Sequence, residues 1–153
     1  MKTNESYDCI LRGSKYVDSG NFKVIQAGDL ELLFDLYDGT FFDRQCQRLL
    51  GDTPLSFRLS KRMTQVGGKT TRREVRHRNG QPASIEYEIA VATTLLFNTF
   101  QDDELSVCMS GIACHDRLEA LQRVFEHELV HLIEMLIWEK SSCSAARFQS
   151  IAN

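Results

Sequence analysis

The chain contains no run of about 18 apolar residues, the length a membrane-spanning helix needs, so no spanning segment is expected. Its opening residues, Met1 to Tyr7, are polar, and no secretory signal is visible there. Charge of one sign is lacking as well. A net charge of −3 makes no global case for nucleic acid or a membrane surface, so either partner would need a local patch. There is no CxxC pair. The five cysteines, Cys9, Cys46, Cys108, Cys114 and Cys143, are odd in number and irregularly spaced, which argues against a disulfide framework and against a cysteine-paired zinc knuckle. A reduced, cytoplasmic setting is the expectation. Internal repeats and low-complexity segments are absent too. What remains is 153 residues of ordinary globular composition, 42% hydrophobic and 25% charged, enough for one domain with a real core.

Residues 1–28 are poorly periodic, with Gly13 and Gly20 as breakers, and read as a loose lead-in with a short strand near Phe22-Lys23-Val24-Ile25. From Asp29 a run of apolar positions, Leu30, Leu32, Leu33, Phe34, Leu36, Tyr37, Phe41, Phe42, Cys46, Leu49 and Leu50, recurs at helical spacing. Gly39 predicts a bend there, and Gly51 with Pro54 ends the run. The period then changes to two. Leu55, Phe57 and Leu59 alternate with polar residues, as do Ile85, Tyr87, Ile89 and Val91 with theirs, the pattern of strands with one buried face. Gly67-Gly68 reads as a turn and Asn79-Gly80 as a hairpin signal. Leu95 to Phe100 suggests a short irregular or helical segment, and Leu105, Val107 and Met109 a further short strand closed by Gly111. Asp116, with Glu119 three residues on, is a helix N-cap followed by apolar residues on nearly every side from Leu118 to about Lys140. Such a helix is buried in the middle of a domain. The sum is an α+β fold with an N-terminal helix, a small antiparallel sheet and a long buried helix.

Chemistry concentrates on that last helix. His127-Glu128-Leu129-Val130-His131 forms an HExxH pentad, which sets two imidazoles four apart on one helix face, within reach of a single zinc ion. Glu128 falls about 100° round the helix from His127, placed to take a proton from a metal-activated water rather than to ligate. The bland alternative is a pair of hydrogen-bonded core histidines. Glu134 and Trp138 share the histidine stripe: Glu134 either orients a ligating histidine or pairs at the helix end, and Trp138 reads as core. His115 reads as structural. Lys69, Arg72, Arg73, Arg76, His77 and Arg78 make a basic tip in an acidic chain, a solvated hairpin by default, with DNA contact through Arg72, Arg73 and Arg76 as the alternative.

The order of these pieces resembles the SprT-like zinc metallopeptidase domain. Leu32-Leu33-Phe34-Asp35-Leu36-Tyr37 with Phe41-Phe42 looks like its first helix. Leu59-Ser60-Lys61-Arg62-Met63, followed by Gly67-Gly68-Lys69-Thr70, is similar to its strand and glycine turn. Ile85 to Ile89 looks like its next strand, and Glu119 to Glu134 like its metal helix. The resemblance implies a minimal zincin-like domain over residues 29–153, a bound zinc, a protein or peptide substrate, and an association with DNA or chromatin in many relatives. It also implies a third zinc ligand, a histidine four residues before a downstream aromatic. Counting back from Phe148 gives Ser144, with Cys143 adjacent, and no histidine follows His131. Three possibilities stay open: Cys143 substitutes, the ligand lies beyond Asn153 in a longer protein, or the site is incomplete. Because Arg147 to Ala152 reads as an amphipathic helix without a stop signal, a chain truncated at its C-terminal end is the expectation. The expected function is therefore a zinc-dependent metalloprotease, possible DNA-associated substrates included, with a non-catalytic metal-binding interaction module as the alternative. A di-iron bundle built on Glu74-x-x-His77 and Glu128-x-x-His131 fails, since only two long helices are legible where four are needed.

Overall fold

The computed structural model describes residues 2–14, 25–63, 66–94, 107–109, 112–114 and 116–138, with side chains omitted for residues 2–6 and 107–114. Among these the order is α1 (Lys2–Gly13), α2 (Ala27–Phe41), α3 (Gln45–Leu50), β1 (Leu55–Ser60), β2 (Gly68–Val75), β3 (Ser84–Ala92), β4 (Val107–Met109), β5 (Ile112–Cys114) and α4 (Arg117–Trp138). The α+β expectation holds. The antiparallel expectation is corrected: the three-stranded sheet has the order β1-β3-β2, with β3 parallel to β1 and antiparallel to β2. Alternation along a strand sets which face is buried but carries no information on the direction of its neighbours. The chain crosses from one edge to the other and then fills the centre with β3. Hence Tyr87, Ile89 and Val91 are buried on one face while Ala90 and Ala92 are buried on the other.

One face of the sheet carries the core. Phe57 on β1 lies 5.9 Å from Phe34 of α2 and 6.3 Å from Phe125 of α4, and Tyr37 of α2 lies 6.1 Å from Phe125 (ring centroids). These tilted rings join both long helices to the sheet, a geometry that adds about 0.5–1.5 kcal/mol per pair beyond simple burial. The opposite face is polar: Arg58 pairs with Glu88 at 3.1 Å, and Arg73 approaches the same carboxylate at 4.0 Å.

Residues 2–13 form a helix rather than a loose lead-in. Its apolar signal is short, Tyr7, Ile10 and Leu11, yet Ile10 is completely buried and Tyr7 donates to Asp116 at the start of α4. The strand expected near Phe22 falls outside the described residues except for Ile25, which is buried. The break after α2 comes at residues 42–44, beyond Gly39, with Asp43 and Arg44 in left-handed conformation at φ 47° and 59°. Buried Asp38 organises it, accepting from Cys46 N–H at 2.9 Å and Gln47 N–H at 3.1 Å and so satisfying the first amides of α3. The strand expected around Val107 is present and pairs antiparallel with β5; Leu95 to Phe100, Leu105 and Gly111 lie outside the described residues. No helix among the described residues is long and apolar enough to cross a membrane.

Candidate metal centre

Helix α4 begins where its cap predicts. Glu119 N–H donates to Asp116 Oδ1 at 2.8 Å, satisfying one of the open amides of the first turn. Leu118, Leu121, Phe125, Leu129 and Leu132 then bury one side of the helix almost completely. That burial leaves His127 and His131 half-exposed along the neighbouring stripe, with Glu128 turned inward against the sheet and 5% exposed.

The two imidazole rings stand edge to face, with centroids 4.8 Å apart and planes at 78°. Their Nε2 atoms are 3.2 Å apart. Two nitrogens each about 2.0–2.1 Å from one tetrahedral ion are separated by roughly 3.3 Å, so the spacing suits a shared ion as well as the hydrogen bond between the rings that it also makes. One ligand atom each from His127, Glu128 and His131 falls within a 4.8 Å cluster. Burial lowers the pKa of both histidines; for His131 the neighbouring His127 lowers it further and the charge of Glu134 opposes. Burial thus favours the neutral form of each ring, the form that metal ligation requires. The donor set fits a divalent metal that accepts nitrogen and oxygen, and nothing in it is specific to zinc.

Glu128 reaches across to the edge strand β2. Thr70 Oγ1 lies 2.7 Å from Glu128 Oε2 and 2.9 Å from Glu128 O, and both contacts are buried. Burial raises the carboxyl pKa, with the Thr70 hydrogen bonds opposing. Two residues earlier, Gly68 packs so tightly on α4 that a Cβ there would lie 2.7 Å from Glu128 Cγ and 2.9 Å from Val124 Cγ1. Gly68 and Thr70 escape a reading of local pattern, which treats Gly67-Gly68 as a turn. The available signal is that a glycine at a strand end often marks close approach of another element.

Glu134 is fully buried and acts electrostatically on His131, so its reading as an exposed helix-end carboxylate is corrected. Trp138 is 43% exposed at the end of the helix and is not core. The basic residues do not form one face. Arg72 and Arg73 are successive residues of β2 opposite Tyr87 and Glu86, so Arg72 points to the helix side and Arg73 to the polar side. Arg76 is exposed just beyond the strand, and His77 Nε2 lies 3.0 Å from Ser84 Oγ across the hairpin. Cys143 and His115 lie outside the described residues. In comparisons with known proteins, the chain matches no family model, no curated protein and no solved structure.

Proposed function

We propose that this protein is a zinc-dependent peptidase of the SprT-like kind, acting on protein or peptide substrates. The observation that carries the proposal is the Nε2 pair at 3.2 Å, with a buried glutamate in the same cluster. When bound by His127 and His131, zinc would supply Lewis acidity and bring the pKa of a water at its open position toward about 7. Glu128 stands one helical step from His127, where its carboxylate can accept a proton from that side of the site and return it to a departing amine. Glu128 is 5% exposed, with Thr70 at its carboxylate and Gly68 packed against its stem. Burial favours the neutral forms of His127 and His131, which would offer lone pairs to the ion.

A metal-binding module without turnover is the second reading. It rests on the same His127, Glu128 and His131 cluster, which can hold a metal whether or not it turns over a substrate. Elemental analysis of the purified chain, together with Glu128→Gln and Cys143→Ala, separates the two. A peptidase should hold about one zinc per chain and lose peptide cleavage in Glu128→Gln while keeping the metal. Wild-type protein that binds zinc without cleaving unfolded casein or a peptide library would leave the module. Equal zinc affinity with and without Cys143 would remove that thiolate as a ligand. DNA-associated substrates belong to the proposal only through Arg72, Arg73 and Arg76; charge reversal there that left salt-dependent DNA binding unchanged would remove them.

A further inference from the structure

We propose that Thr70 is the positioning residue of this site, selecting which oxygen of Glu128 faces the reaction by holding the other. The assignment rests on the peptidase function proposed above. A glutamate side chain has three rotatable bonds and, unrestrained, spreads its carboxylate over several ångströms. Thr70 removes that freedom from two ends. Its hydroxyl lies 2.7 Å from Oε2 and 2.9 Å from the main-chain oxygen of the same residue. The single hydroxyl proton is shared between the carboxylate, at the shorter distance, and the main-chain oxygen of the helix turn that carries the base. Oε2 is engaged by the fold, which leaves Oε1 as the oxygen free to receive a proton.

The surroundings make this grip rigid. Thr70 is 8% exposed and lies on β2 directly opposite Ile89 of the central strand, whose side chain is completely buried. A β-branched residue in a strand has a restricted χ1, so its hydroxyl direction is set before any substrate arrives. Gly68, on the same face of β2, blocks the other escape, because Glu128 Cγ already occupies the space a Cβ would need. The side chain is thus held at its carboxylate by a hydrogen bond and at its Cγ by the strand backbone. A group that must meet a reacting atom within a fraction of an ångström gains from such restraint, and loss of positioning by about 1 Å can cost on the order of 100-fold in rate.

The test compares wild type with Thr70→Val, which keeps the shape and removes the hydroxyl, and Thr70→Ser, which keeps the hydroxyl. The full chain, loaded with zinc, is assayed on unfolded casein and a fluorogenic peptide mixture. Thr70→Val should lose about 10- to 100-fold in kcat with zinc affinity and KM nearly unchanged, and Thr70→Ser should recover most of it. The same proteins loaded with cobalt(II) give a readout independent of turnover. The visible spectrum, which responds to the open coordination position beside Glu128, should change in Thr70→Val as it does in Glu128→Gln and stay wild-type in Thr70→Ser. Wild-type kcat or a wild-type cobalt spectrum in Thr70→Val overturns the assignment. So does equal loss in both variants accompanied by loss of metal, which would mark Thr70 as structural. If wild-type protein cleaves nothing, the peptidase proposal falls, and the cobalt comparison alone still decides whether Thr70 sets Glu128.

Discussion

Replacing Gly68 by alanine asks whether the edge strand and the metal helix are in as close contact as their geometry requires. The new methyl carbon would sit 2.7 Å from Glu128 Cγ, 2.9 Å from Val124 Cγ1 and 3.2 Å from the carbonyl oxygen of Ala90. One of these atoms is a stem carbon and one a methyl of a β-branched side chain on a packed helix, and the third is backbone, so none can swing away cheaply. Restoring ordinary contact with Glu128 Cγ requires β2 and α4 to separate by roughly 0.7 Å, an overpacking that costs about 1–3 kcal/mol. For a chain of this size each kcal/mol lowers Tm by about 2–4 °C, so the expected loss is about 2–12 °C. Gly28 supplies the control, because nothing lies within 4 Å of its hypothetical Cβ in the first turn of α2. Gly28→Ala should be neutral or stabilising by up to about 1 kcal/mol, since it restricts the unfolded chain without a clash. Urea melts with matched m-values would measure both. A Gly68→Ala protein within about 0.5 kcal/mol of wild type would refute the close packing and remove the second restraint on Glu128.

Phe125, completely buried between Phe57 and Tyr37, should cost about 3–5 kcal/mol when replaced by alanine, and a urea-melt loss below about 1.5 kcal/mol would contradict a junction of two helices and the sheet at this ring. Asp38→Ala should cost about 1–3 kcal/mol and open the amides of Cys46 and Gln47 to hydrogen exchange, because both lose their acceptor; unchanged exchange at those two positions would disprove the cap. The metal-free protein should also lose stability on acidification. His127 and His131 have folded pKa values below the ordinary 6.5, so their contribution is present above that value and lost as pH falls through the lowered one. A double His127→Gln, His131→Gln protein should show a flatter slope between pH 7 and 5 (about the imidazole range), and an identical slope would exclude the histidines as its source. Glu128 acts in the opposite sense: its raised pKa gives stability below the ordinary 4.5 that is lost as pH rises through the folded value, so Glu128→Gln should flatten the response on that side.

The fold was legible where burial writes a period. Leu55, Phe57 and Leu59, and again Tyr87, Ile89 and Val91, alternate because one face of each strand meets the helices, and both strands appear where that alternation places them. Helix α4 announces itself through Asp116 and an apolar run that its burial explains. Two features were hidden for different reasons. The parallel pairing of β1 with β3 leaves no local trace, since strand direction is settled by how the chain crosses the sheet. Helix α1 carries too few apolar positions to show a period; among its described side chains Ile10 is completely buried, Tyr7 and Leu11 pack beside it, and the Tyr7 hydroxyl finds Asp116 109 residues away.

The candidate site divides along the same line. His127, Glu128 and His131 are neighbours on one helix, so their spacing alone brings their donors together, and the 3.2 Å separation of the ring nitrogens follows from the i, i+4 relation. Thr70 is 58 residues from the glutamate it holds, and no pattern within either segment connects them. The link is made by the sheet, whose order β1-β3-β2 puts β2 at an edge where Thr70 meets α4. A glycine was needed at residue 68 to let that edge approach, and a threonine at residue 70 to use the approach once made. Ligand spacing is therefore a property of the helix, whereas the direction of the base is a property of the tertiary structure. A peptide containing only residues 117–138 would keep the first in whatever helix it formed and would have nothing to supply the second.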